Sequence, residues 1–250
     1  MAAKKQISQV VLLRVGMDSG VGGIQGPLLD KGRFDYLPIP DDWNDDNPVT
    51  YGKTVGRHGR LLFEYWSGKR REKYRLKGIH FDPEFDTFTY GDPTTPKQSL
   101  RWLEKGDLLV FYAGLQRWSV KVGYHGDPHL YIIGYFLVEK AGHIKDLFDK
   151  YTRNEIEREF GRCIHVVKGR PVEKRLVLVK GGKGSRLLNH ARLISEYGKD
   201  KNGQRLKVLR RDLKKYFGGF SKRNSLQRSP PRWVSDEFAQ KAYNYVMRLK

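Results

Sequence analysis

Residues 79–86 read Ile-His-Phe-Asp-Pro-Glu-Phe-Asp, alternating polar donors with apolar side chains. In an extended chain His80, Asp82 and Glu84 point to one face. An imidazole beside carboxylates is a donor set for a divalent cation, or an acid–base pair for proton transfer. Pro83 interrupts a regular strand, so a surface loop with alternating acids is the competing reading. Asp18, at the exit of an apolar run, is the fourth candidate for catalysis. The metal itself is not specified by these residues.

Asp18 lies in a stretch that runs from Arg14 to Pro27 and carries five glycines. Successive glycines leave backbone N–H groups uncovered, which suits an anion or the face of a base. Ser19, Gly22, Gly23 and Gln25 are the candidate base-binding residues, and Trp118 and Trp233 are candidates for stacking. Gln25 stands where a dinucleotide fingerprint needs its third glycine, so that fingerprint is absent. An irregular turn capped by Asp18 is the plain alternative. A second glycine cluster, Gly181-Gly-Lys-Gly-Ser185, lacks the lysine–serine order of a nucleotide phosphate loop but places Lys183 and Arg186 beside a candidate anion site. His125 and His129 flank Gly-Asp-Pro, a turn sequence. No Gly-x-Ser-x-Gly or His-Glu-x-x-His pattern occurs.

In residues 206–217, Leu206, Leu209, Leu213 and Phe217 recur at helical spacing, and Lys207, Arg210, Arg211, Lys214 and Lys215 crowd the other side. A helix with that face suits a phosphate backbone, with a solvated face as the alternative. Gln227, Arg228 and Ser229 follow, with side chains able to bond a base edge or a phosphate.

The elements that must hold these residues are strands early and helices late. Strands are predicted over 10–15, 33–40, 108–113, 130–139 and 175–180 from apolar runs or alternation. Helices are predicted over 100–105, 144–160, 185–197, 206–217 and 235–249. The expected fold class is α+β, a mixed or barrel-like sheet core with a helical, strongly basic C-terminal part. One composite domain is expected over 1–250, mainly β and loops in 1–140 and α-rich and basic in 141–250.

Charge separates the two parts. Residues 1–150 hold 22 Lys+Arg against 19 Asp+Glu, and residues 151–250 hold 26 against 9. Nearly all of the net charge of +20 therefore sits in the last two-fifths of the chain. Such a field draws polyanions, nucleic acid above all. One cysteine, Cys163, excludes an internal disulfide and a cysteine-rich zinc site. No apolar run reaches membrane length and the N-terminus lacks a signal-peptide core, so a cytoplasmic protein without membrane contact is expected.

Five stretches, LLRVGMDSGVGGIQGPLLDKGRFDYLPIP (12–40), HFDPEFDTFTYGDP (80–93), SLRWLEKGDLLVFYAGL (99–115), LYIIGYFLVE (130–139) and QRSPPRWV (227–234), together resemble the nucleotide modification associated domain 3 family. The resemblance covers nearly the whole chain and implies a role in the biology of modified DNA bases, without a demonstrated reaction. It draws attention to Asp18, Gly22, Gly23 and Gln25, to His80, Asp82, Glu84 and Asp92, and to Gln227, Arg228 and Ser229. The shorter run EKGDLLVFY is similar to PUA-like domains (ASCH, EVE, YTH), which implies a barrel with an aromatic-walled base pocket. The reading is a nucleic-acid- or nucleotide-binding protein associated with DNA base modification, taking the base at the glycine loop and phosphates at the basic surface. DNA is favoured over RNA. The alternative is an enzyme, metal- or acid/base-dependent, acting on a base or phosphodiester.

Overall fold

The computed structural model describes residues 8–42, 48–148, 152–166, 173, 175–220, 226 and 230–250. The candidates Gln227, Arg228 and Ser229 lie outside the described residues.

Val10–Leu13 are wholly buried, which explains a run with no alternation: strand β1 (Val10–Arg14) is covered on both faces. Strands β2 (Gly26–Leu28), β3 (Ile39–Pro40), β4 (Ile79–His80) and β5 (Thr89–Asp92) are short, and helix α1 (Gly68–Arg75) falls between β3 and β4. The two long strands follow, β6 (Leu108–Ser119) and β7 (Gly123–His143), then α2 (Ile144–Phe148) and α3 (Arg153–Phe160). The remainder is β8 (Val177–Gly181), β9 (Arg186–Leu193), β10 (Ser195–Lys199), β11 (Arg205–Leu209), α4 (Lys214–Phe217), β12 (Arg232–Trp233) and α5 (Asp236–Met247).

The main sheet runs β12-β1-β6-β7-β8-β5, with β2 also on β6 and β9 also on β7. β1 lies parallel to β6, which puts Arg14 beside Tyr112. β12 lies antiparallel to β1, which puts Arg232 beside Leu12. Three polar side chains, from Arg14, Tyr112 and Arg232, thereby share one region of the sheet.

The α+β class holds, but the barrel does not. β12 and β5 end the sheet without pairing to each other, so it stays open among the described residues. The expected helices 185–197 and 206–217 are also corrected. The first is β9 and the start of β10, whose backbone bonds go to β7 and β11. The second is β11, a 3-10 turn over Arg211–Leu213 and the single turn α4. Between β10 and β11 the Asp200 carboxylate accepts N–H bonds from Asn202 and Gln204, and Gly203 has φ +78°. Asn-Gly at that place closes a hairpin, and the hairpin outweighs the helical spacing of the leucines.

Smaller differences follow the same pattern. Residues 95–102 form a 3-10 helix where a helix over 100–105 was expected. The expected strand 33–40 keeps only β3, paired with β4. The predicted helix 144–160 begins as α2 and restarts at α3 under a capping box, in which Thr152 and Glu155 each satisfy the other's backbone N–H.

Candidate functional site

The glycine loop is held by its own residues. Asp18 Oδ1 accepts the N–H groups of Gly20 and Val21, each at 2.9 Å, and Oδ2 lies 3.4 Å from Arg14 Nη2. The Trp66 indole N–H donates to the Gly22 carbonyl at 2.9 Å, and Arg70 donates to the Gly23 carbonyl at 3.3 Å. The space left by the absent side chains is taken up by the protein itself: a Cβ at Gly22 would overlap Met17 Sδ, and one at Gly23 would overlap the Arg70 guanidinium. Ser19 is exposed at the tip.

Behind that loop lies a group of buried polar side chains. Gln25, 5 % exposed, leaves the loop for β2 and lays its side-chain oxygen against Gly114 of β6, with Arg14 Nη2 on the same side. That oxygen finds no hydrogen-bond partner among the described residues. Arg232, 8 % exposed, likewise has Nε and Nη2 without partners there. Arg14 and Arg232 both act on the Tyr112 hydroxyl, whose pKa burial nonetheless pushes up to about 12. Lys207 of β11 completes the group: burial, then the neighbouring Arg14, lowers its ammonium pKa, while Asp18 and Asp127 pull the other way. His129 Nδ1 is buried without a partner among the described residues, and burial followed by Lys207 lowers that imidazole's pKa.

The other expected contacts disperse. Lys183 is exposed in the turn before β9, and Arg186 lies 5.9 Å from the Tyr135 ring. Arg210 makes two bonds to Asp212, Arg211 lies 3.6 Å from Glu196, and Lys214 and Lys215 are exposed on α4. With β11 extended, Lys207 turns toward the glycine loop instead of sharing a helix face with these four. Trp118 packs edge-on to Tyr65 under the Arg60 guanidinium, and Trp233 donates its N–H to Ser99 Oγ at 3.2 Å.

Of the acidic segment, the fold keeps His80 and Asp82 together and separates Glu84 from them. The Glu84 carboxylate accepts bonds from the Asp86 and Thr87 backbone N–H groups and the Thr87 hydroxyl, closing its own turn. Its place beside His80 and Asp82 is taken by His165, from the turn after α3. His80 Nε2 and His165 Nε2 are 3.2 Å apart, and His165 Nε2 is 3.8 Å from Asp82 Oδ2. Asp82 Oδ1 accepts the Gly91 N–H at 3.0 Å, and burial pushes this carboxyl well above its ordinary range. Asp41, fully buried, stands 4.0 Å behind His80 Nδ1. Asp18 belongs to the glycine loop and Asp92 caps the Thr94 turn, so neither joins this cluster.

A family model described as nucleotide modification associated domain 3 matches residues 9–248. The chain belongs to that family. No curated protein and no solved structure matches it. The nucleotide modification associated domain 3 match takes in both polar clusters, the one behind the glycine loop and the one around His80, and ties the chain to nucleotide modification. No helix among the described residues is long and apolar enough to cross a membrane.

Sequence reading missed Arg14, Arg232, His165 and Asp41, whose partners come from distant elements. It also missed Asp35, a fully buried carboxylate that accepts from the Tyr65 hydroxyl at 2.5 Å and lies 3.1 Å from His58 Nδ1. Nothing in Arg-Phe-Asp-Tyr marks Asp35 as buried, because its partners come from a segment more than twenty residues away.

Proposed function

We propose that this protein binds a nucleotide, free or at an exposed position of DNA, between the glycine loop and β11. Arg14, Lys207 and Arg232 take the phosphate, and the Gln25 side-chain oxygen accepts an N–H from the base. The observation that carries this reading is the coexistence of a buried guanidinium and a buried amide oxygen, both lacking partners among the described residues. Leaving such groups unbonded costs about 1–3 kcal/mol each, and more for a charged one. A ligand that supplies an anion to the arginine and a donor to the glutamine removes both costs. A nucleotide has that combination, a phosphate together with a base N–H donor such as the exocyclic amine of adenine, cytosine or guanine. Glycine at 114 supports the reading too, since a larger residue would displace Gln25. The exposed cations Lys183, Arg186, Lys214 and Lys215 serve as outer contacts to a longer polyanion.

Calorimetric titration with dAMP, dCMP and dTMP tests the reading. Saturable binding of at least one of them is expected, and Gln25→Leu should weaken it about tenfold, as one lost hydrogen bond to a neutral group implies. Absence of binding by any of the three and by a short single-stranded DNA would refute it.

A second reading, chemistry on the bound base or phosphodiester, is favoured by the His80–Asp82–His165 cluster. Mass spectrometry of a defined duplex after incubation with the protein, in the presence of Mn²⁺, Co²⁺ or Zn²⁺, separates the two. A changed mass supports an enzyme, and an unchanged one supports a binding module.

A further inference from the structure

We infer that His80, His165 and Asp82 form a binding site for one first-row divalent transition-metal ion, with coordination positions left open. The inference stands apart from the nucleotide site and shares no residue with it.

The distances decide the chemistry. Imidazole nitrogens bind zinc-like ions at about 2.0–2.1 Å, so two nitrogens 3.2 Å apart subtend roughly 100° at a shared ion, between the octahedral and tetrahedral angles. One ligand atom from each of the three residues already lies within 4.8 Å of the others. Asp82 Oδ2 lies 3.8 Å from His165 Nε2 and is the third donor of the set. Its other oxygen is held by the Gly91 N–H, which turns Oδ2 toward the imidazoles.

The surroundings fit the same arrangement. Asp41 Oδ1 stands 4.0 Å behind His80 Nδ1, on the ring edge away from His165. A carboxylate placed behind a ligating histidine is the usual support for a metal site. Two facing nitrogens are bridged by a proton or by a common ion, and the carboxylate oxygen beside them supplies the third donor that an ion takes. The side chains are enclosed, at 8 % exposure for His80, 12 % for His165 and 9 % for Asp82. Gly91 permits this closeness: a Cβ there would stand 2.8 Å from Cys163 Sγ and 3.1 Å from His165 Cδ2, so the 163–165 turn closes onto β5 only over glycine.

Two imidazoles select against Mg²⁺ and Ca²⁺, which take oxygen donors, and for ions such as Zn²⁺, Co²⁺ or Fe²⁺. Three protein donors leave room for water or a substrate oxygen, as at catalytic rather than structural centres.

The test uses untagged full-length protein stripped with a chelator, then titrated with Co²⁺ alone and followed by visible d–d absorption. One saturable Co²⁺ per chain is expected, displaced by Zn²⁺ and not by excess Mg²⁺. Zn²⁺ should also raise the melting temperature in proportion to the logarithm of its concentration. His80→Gln and His165→Gln should abolish the spectrum, whereas the exposed His125→Gln should leave it unchanged. Asp41→Asn, which removes a positioning residue and no ligand, should weaken binding about tenfold or more while keeping the spectral shape. Absence of both the absorption and the Zn²⁺-dependent melting shift in the wild-type protein would overturn the assignment. So would a Co²⁺ spectrum that survives in folded His80→Gln and His165→Gln proteins.

Discussion

The side-chain oxygen of Gln25 occupies the space that any side chain at Gly114 would need. The two residues meet where β2 runs beside β6, and their contact sets the position of the one acceptor that the glycine loop turns inward. Gly114→Ala should expel Gln25 at a stability cost of about 1–3 kcal/mol, the usual range for overpacking. Nucleotide affinity should fall about as far as in a Gln25→Leu variant, because both remove the same acceptor from its place. Paired melting curves and titrations check this.

Arg232 offers a sharper separation of stability from binding. A buried guanidinium with two nitrogens unbonded among the described residues is a burden on the free protein, and replacing buried charge by an apolar residue is commonly neutral or stabilising by about 1–4 kcal/mol. Arg232→Met should therefore hold or raise the melting temperature. It should also lower affinity for a nucleoside monophosphate about ten- to hundredfold, the loss of one charge-assisted bond. A variant that melts lower and binds equally well would assign Arg232 a purely structural role.

Gly22 is a backbone requirement. Its φ of +84° lies in the left-handed region, and Met17 fills the space beside it. Gly22→Val should destabilise the fold by at least about 2 kcal/mol from backbone conformation and overlap together. Denaturant unfolding measures it. Loss of ligand binding with an unchanged unfolding curve would contradict the packing described for this glycine.

The pH dependence of binding follows from Lys207. Burial and Arg14 lower its pKa below the ordinary 10.5, so its positive charge is lost earlier than usual as pH rises. A bound phosphate favours the ammonium and raises that pKa again. Affinity for dAMP should therefore fall on the alkaline side, below the normal lysine range, with proton uptake on binding in that window. Lys207→Gln should flatten the profile, and calorimetry in two buffers of different ionisation enthalpy reads the proton uptake.

Tyr65 anchors Asp35. Tyr65→Phe removes the hydroxyl that donates to Asp35 Oδ2 and leaves a fully buried carboxylate with one fewer donor. A cost of about 1–3 kcal/mol is expected. Melting curves of the two proteins test this.

Much was determined by the sequence alone. Val10–Arg14, Leu108–Ala113 and Leu130–Val138 are apolar without alternation, and such runs become buried strands wherever a sheet can cover both faces. The family resemblance, carried by long specific stretches, was equally legible, as was the location of the positive charge. Local spacing failed where a non-local bond competed with it. Leu206, Leu209, Leu213 and Phe217 fit a helix, but the Asn202-Gly203 turn and pairing with β10 drew Arg205–Leu209 into a strand. That change of period moved Lys207 away from Arg210 and Arg211 and toward Arg14.

Only the tertiary structure decided which polar residues meet. His80 and Asp82 are two residues apart, yet the third member of their cluster is His165, 85 positions from His80, and not the neighbouring Glu84. Arg14 and Arg232 join because β12 returns from the end of the chain to lie against β1. Periodicity records which face a residue takes within its own element. It carries no information about which distant element will be packed against that face, and that is set by the pairing order of the strands.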